Sequence, residues 1–337
     1  MGARLAVDEI NAAGGVRGKS LELLVEDEKS TFEGGEEAAR KLVSQGAVVM
    51  FGGVASGIAA RVAKVAYETG VPLVLVAATR NDLTDIASNI FRVCSIDRVG
   101  GAEMALFTYE DLGLRKIAIM TDRKQPYSIG LSKDYRYAFE KLGGQIVTEQ
   151  FYESGQTTFQ NQLKAIKEFK AQGVFISGYF TEASLIVREM AQMGLKIARL
   201  GGDGWDNPEL IAKGGPPIIG SYIFTHFDIY DDRPFTQAFL KRWKARYGRL
   251  PTTNLGALTY DAVRLIAHAL KRAKSLDSQG VTEAIAETRR FAAVTGNMSF
   301  EGRRGNPTKK PIIVEIRPTG KVYIKEYTTK EIQKVLE

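Results

Sequence analysis

Two histidines and one cysteine are all that the 337 residues hold. A single thiol, Cys94, excludes an intramolecular disulfide. Its apolar setting, FRVCSID, reads as a small core side chain rather than a reactive nucleophile. His268 falls inside a helical pattern, DAVRLIAHALKRA, and reads as structural. His226 follows a strand pattern in IFTHFD, where packing is the simpler reading and lining a cleft the alternative. HExxH, GxSxG, P-loop and CxxC motifs are absent. Without a nucleophile–base pair or a metal-ligating set, the chain is not expected to be an enzyme, and neither cofactor nor metal is expected. Long apolar runs are missing too, since no window approaches the roughly 18 residues of a membrane span. The opening MGARLAVDEINAAGG is an amphipathic helix with a Gly-Gly stop and lacks the apolar core of a signal peptide.

What is present is globular material, 44% hydrophobic and 25% charged, in a length that suits two domains. The net charge of +7 is spread, with Lys and Arg interleaved among acids. The densest basic stretch, RRGNPTKK at 303–310, contains Gly and Pro and reads as a solvated loop, so no nucleic-acid partner is expected. Apolar runs of strand length alternate with amphipathic helical patterns. Strands are expected at Leu21–Val25, Ala47–Phe51, Val71–Val76, Ile90–Val93 and Lys116–Thr121, and the rhythm continues past Asp122 to Thr225. Three further helical patterns follow, and a hairpin around Pro318-Thr319-Gly320 closes the chain. So many βα units exceed one sheet of ordinary size and predict two α/β lobes with parallel, Rossmann-like sheets.

The organising stretch is FGGVASGIAARVAKVAYETGVPLVLVAATRNDLTD, Phe51–Asp85. It places two small polar turns, one bearing Ser56 and one Ala77-Ala78-Thr79, at the carboxyl ends of neighbouring parallel strands, where open α/β sheets bind ligands. A helix starting near Ser56 points its positive end the same way, which suits a carboxylate. Further along, Tyr127, Tyr179 and the Asp203-Gly204-Trp205 turn also follow strands. Hydroxyls and N–H groups for a carboxylate, a buried acid for an ammonium and aromatic cover together describe a pocket for a small zwitterion.

GARLAVDEINAAGGVRGKSLELLVEDEKS, GVPLVLVAAT, KIAIMTDRKQPYSIGL, GVFISGYFTEASLIVREMAQMGLK, GGDGWDNPEL and LGALTYDAVRLIAHAL resemble, in this order, the type I periplasmic binding proteins. Within that family the likeness is to the leucine/isoleucine/valine-binding proteins of ABC importers. The resemblance implies two lobes joined by a three-crossover hinge and closing on an amino acid, expected at residues 1–121 plus 253–309 and 122–252 plus 310–337. It implies carboxylate contacts from Ser56, Ala77, Ala78 and Thr79, flanking Tyr127 and Tyr179, and an ammonium contact from Asp203. Trp205 is expected at the side-chain end of the pocket. No Arg or Lys is clearly aimed at the distal pocket, although Arg80 and Arg123 lie nearby, and with Trp205, Tyr179 and Phe180 an apolar side chain is preferred over an acidic one. The implied partners are the amino acid and the importer's permease and ATPase, in a periplasmic or extracellular setting, with the membrane reached only through the transporter or a lipid anchor. A sensor or regulator core, or a binder of amides or aromatic acids, is the alternative. The family also places a strand before the GARLAVDEINAAGG helix. That strand is not in this sequence, and its two expected neighbours would keep unpaired backbone groups costing about 1–3 kcal/mol for each that stays buried.

Overall fold

The computed structural model describes residues 1–337. It opens with α1 (Gly2–Ala12), α2 (Phe32–Ser44), β1 (Met50–Gly52), α3 (Ser56–Thr69), β2 (Leu73–Leu75) and β3 (Ile90–Arg92). Then come α4 (Asp97–Leu106), β4 (Lys116–Asp122), α5 (Pro126–Lys141), β5 (Gln145–Tyr152), α6 (Gln160–Glu168) and β6 (Gly173–Ser177). They are followed by α7 (Phe180–Gln192), β7 (Ala198–Gly201), α8 (Glu209–Gly214) and β8 (Tyr222–Thr225). The chain closes with α9 (Pro234–Tyr247), α10 (Leu255–Arg272), α11 (Ser278–Ala286), β9 (Ile312–Arg317), β10 (Gly320–Lys325) and α12 (Thr329–Leu336).

These elements form two units, Met1–Ile96 with Ile229–Lys309 and Asp97–Asp228 with Lys310–Glu337. The expected divisions after residues 121 and 252 are corrected to Ile96 and Asp228. The reason is pairing: β4 bonds to β5 on one side and β6 on the other, so it is interior to the second sheet. Likewise α9 belongs to the first unit, where its Arg242 bonds Glu9 of α1 at 2.7 Å.

In the first unit β1, β2 and β3 form a parallel sheet in that order. Alternation along the strands feeds two cores, as the pleat requires. Val74, Val76, Phe91 and Val93 pack with Leu258, Leu265 and Ile266 of α10. Leu73, Leu75 and Ile90 pack with Ala59 and Ala63 of α3. The strand expected at Leu21–Val25 does not form, and the segment bonds to no strand. Leu21 is instead tied to the Asn11 side chain, its N–H donating to Oδ1 at 2.7 Å and its carbonyl accepting from Nδ2 at 2.9 Å. β1 is an edge strand. A cavity of about 1030 Å³ separates the two, lined among others by Leu21, Leu23, Val48, Met50, Val263 and Ile266. An apolar run becomes a strand only when a neighbour takes its backbone groups.

The second unit holds a seven-stranded sheet, order β10-β9-β8-β7-β6-β4-β5, parallel from β8 to β5, with β9 antiparallel to β8 and β10 to β9. Ile117, Ile119 and Phe175 face α4 and α5. Ala118, Met120 and Ile176 face the side of α6 and α7. The sequence reading ends at the hairpin and omits α12, which begins with a capping box: Thr328 and Glu331 cap each other's backbone N–H groups.

Candidate functional site

In the first unit, Ser56 opens α3, a 14-residue helix with no acidic residue in its first turn, so no side-chain anion of the helix itself uses that end. The Ser56 hydroxyl accepts the Arg80 N–H at 3.3 Å, which ties the helix start to the turn after β2. Ala77, Ala78 and Thr79 form that turn and are all buried. Thr79 Oγ1 has no hydrogen-bond partner.

Arg92, which the sequence reading passed over, lies beneath this turn. It is fully buried on β3, and its Nη1 donates to the carbonyls of Ala78 at 2.9 Å and Arg80 at 3.0 Å. The signal was there in IFRVC. An arginine in a strand buried on both faces must meet buried acceptors or pay heavily for its charge. Arg80 is itself occupied by Asp82, with Nε at 2.5 Å from Oδ1.

In the second unit, sheet order does the assembly. Adjacent strands β4, β6, β7 and β8 end in Asp122, Ser177, Gly201 and Thr225. Tyr127, Tyr179, Asp203 and His226 follow those ends. Tyr127 and Tyr179 stack with ring centroids 5.2 Å apart and planes at 25°. The Tyr127 hydroxyl donates to Asp203 Oδ1 at 2.8 Å and accepts the Gly204 N–H at 3.1 Å. Burial first, then the negative charges of Asp203 and Asp97, pushes the Tyr127 phenol far above its ordinary value, so it remains a donor. His226 Nε2 lies 3.2 Å from Asp203 Oδ2. Glycines make the close approach possible. A Cβ on Gly202 would stand 2.6 Å from the Tyr127 hydroxyl, and one on Gly204 would stand 2.6 Å from the Gly178 carbonyl.

Trp205 is corrected. Its indole is fully buried in the core on the α6–α7 side of the sheet, and Nε1 donates to the Ile176 carbonyl at 3.2 Å. The absence of a side chain at Gly201, where a Cβ would meet the ring at 2.5 Å, admits the indole under the turn. It packs into the core of the second unit rather than ending a pocket. Arg123 is committed as well, since Nε donates to Glu153 at 2.8 Å. His226, read from sequence mainly as packing, is the residue that reading missed. The available signal was that it is the first residue after the strand beside β7.

Residues 1–321 match the family described as periplasmic binding protein. A Leu/Ile/Val-binding protein homolog of Brucella melitensis is 30% identical over 304 residues, covering 89% of this chain and 81% of the relative. Among solved structures, the leucine-binding protein LivK of Thermotoga maritima is similar with a TM-score of 0.92 at 31% identity, over 98% of this chain and 93% of that one. The branched-chain amino-acid transporter substrate-binding protein LivJ of Streptococcus pneumoniae, solved with isoleucine, gives 0.88 at 31% identity, over 95% and 91%.

Proposed function

The chain belongs to the periplasmic binding proteins, and on that footing we propose that it captures an apolar, branched-chain amino acid and presents it to the permease and ATPase of an ABC importer. The family is one of binding proteins that work outside the cytoplasmic membrane, and no helix here is long and apolar enough to cross one. In this reading the first unit takes the α-carboxylate. The α3 N-terminus offers N–H groups and a positive dipole end, Ser56 and Thr79 offer hydroxyls, and Ala77 and Ala78 keep the turn small. The second unit takes the α-ammonium on Asp203, with Tyr127 and Tyr179 as apolar cover.

The observation that carries the reading is the Asp203 carboxylate, buried at a strand end and contacted by no Lys or Arg, held only by a phenol and an imidazole. A buried carboxylate without a cation suits a cationic ligand group. The side-chain preference follows from Arg80 and Arg123 being spent on Asp82 and Glu153, which leaves neither for an acidic ligand. Calorimetry against the twenty amino acids tests both statements. Leucine, isoleucine or valine should bind most tightly. Silence with every amino acid refutes the ligand class, and tighter binding of glutamate than leucine refutes the side-chain preference.

A further inference from the structure

Asp203 is gripped on both oxygens. Tyr127 donates to Oδ1 at 2.8 Å, and His226 Nε2 stands 3.2 Å from Oδ2. The His226 side chain is wholly buried, and its Nδ1 has no hydrogen-bond partner. That asymmetry fixes the proton. A carboxylate only accepts, so the nitrogen facing it must carry the hydrogen. In the neutral ring the unpartnered Nδ1 then keeps only a lone pair. The neutral ring is therefore the Nε2–H tautomer.

We propose that His226 is a positioning residue for the ligand's cationic group: as an Nε2–H donor it fixes the Asp203 carboxylate and, in that tautomer, adds no charge to it. This rests on the amino-acid reading above. The physical point is the choice of donor. A buried carboxylate needs hydrogen bonds to stay ionised. Lys or Arg in the His226 position would supply them but would bring the pair to zero net charge, and the attraction for an ammonium would fall with it. Tyr127 and His226 each supply one bond and no charge. They use two of the roughly four acceptor positions of the carboxylate and leave two for the ligand. Lys321 of β10 is engaged elsewhere, paired with Asp206. His226 thus acts through Asp203.

Three variants separate this role from simple packing. His226→Gln keeps an N–H about where Nε2 stands, His226→Asn keeps the amide but draws it back by one methylene, and His226→Leu fills the space without a donor. Leucine affinity by calorimetry, with thermal melting to verify folding, is the readout. The expected result is a loss of roughly tenfold or more for His226→Leu and His226→Asn, with His226→Gln within about threefold of the parent, as for one hydrogen bond to a charged group. Parent-like affinity in folded His226→Asn overturns the assignment, since its donor falls short of Asp203. His226→Gln as weak as His226→Asn overturns it too, because reach then does not matter. If His226→Leu does not fold, the Gln–Asn comparison alone decides. A parent that binds no amino acid refutes the ligand reading and this assignment together, whereas a parent that binds leucine with unchanged variants refutes only the role of His226.

Discussion

Arg92 Nη1 stands 2.9 Å from the carbonyl oxygen of Ala78, so a buried strand cation holds the turn that carries Thr79. The same nitrogen reaches the Arg80 carbonyl at 3.0 Å. Replacing Arg92 with Met keeps much of the bulk and removes both donors. Two carbonyls in a buried turn then lose their partner, at about 1–3 kcal/mol for each that water cannot reach. Arg92→Met should lower folding stability by about 2–4 kcal/mol, read as a lower urea midpoint at unchanged slope. Faster amide exchange at Arg80 should accompany it. An unchanged midpoint would mean that the turn holds itself.

Thr79→Val should move stability and binding in opposite directions. The threonine hydroxyl is buried and unpartnered, and valine replaces it with a methyl group of similar size. Relief of the desolvation cost should raise stability by about 1 kcal/mol. Loss of a donor to a ligand carboxylate should weaken leucine by about 1.5–3 kcal/mol, the worth of a hydrogen bond to a charged group. Thermal melting without ligand and calorimetry with leucine give the two signs. Unchanged affinity would remove Thr79 from the site.

Asp203→Asn keeps the shape and discards the charge. Leucine binding should weaken by about 3–5 kcal/mol, the penalty for breaking a buried pair. The matching 2-keto acid, which has no ammonium, should lose far less. Equal losses for both ligands would assign Asp203 to organisation of the loop instead of to the ammonium.

Lys309 gives the first unit a basic-side pH dependence. It is buried, donates to the Val93 carbonyl at 2.8 Å and to Thr295 Oγ1, and burial pushes its amine down from 10.5 to about 8, with Asp261 opposing. Below pH 8 both folded and unfolded chains carry the proton, and the burial penalty is present in full. Between about 8 and 10.5 the unfolded chain holds more protons, so this residue's contribution to stability rises with pH. At ~1.4 kcal/mol per unit, the full gain is on the order of 3 kcal/mol. Lys309→Met should flatten that rise. Urea midpoints at pH 7.5 and 10, compared between parent and variant, measure it, and parallel curves would contradict it.

The parts of this fold that were legible in the sequence are those written locally. Helix α3 with its Gly70 stop, the run GVFIS of β6, and the turns at Ser56 and Thr79 show in residue type and spacing. Parallel strands buried on both faces are continuous apolar words, and their carboxyl ends can be counted off. What was not legible depended on neighbours. Leu21–Val25 has the alternation of a strand and no ladder to join. Trp205 looks like a pocket aromatic until Gly201 opens the space beneath it. His226 becomes a partner of Asp203 only once β8 is known to lie beside β7. The capping box at Thr328 and Glu331 is local, written in its Thr-x-x-Glu spacing, and lies beyond the hairpin that ends the βα pattern.

Each unit is assembled from distant pieces of chain, and that sets an order on synthesis. The core between β2, β3 and α10 draws on residues before Ile96 and after Asn254. At roughly 5–20 residues per second, about 10–30 s separate the appearance of the two halves. Through that interval Val74, Val76, Phe91 and Val93 have no helix to cover them. The second unit is completed last, because β9 lies inside its sheet and emerges near the end. A nascent chain with such seams keeps apolar strand faces open to unwanted partners until its last segment arrives.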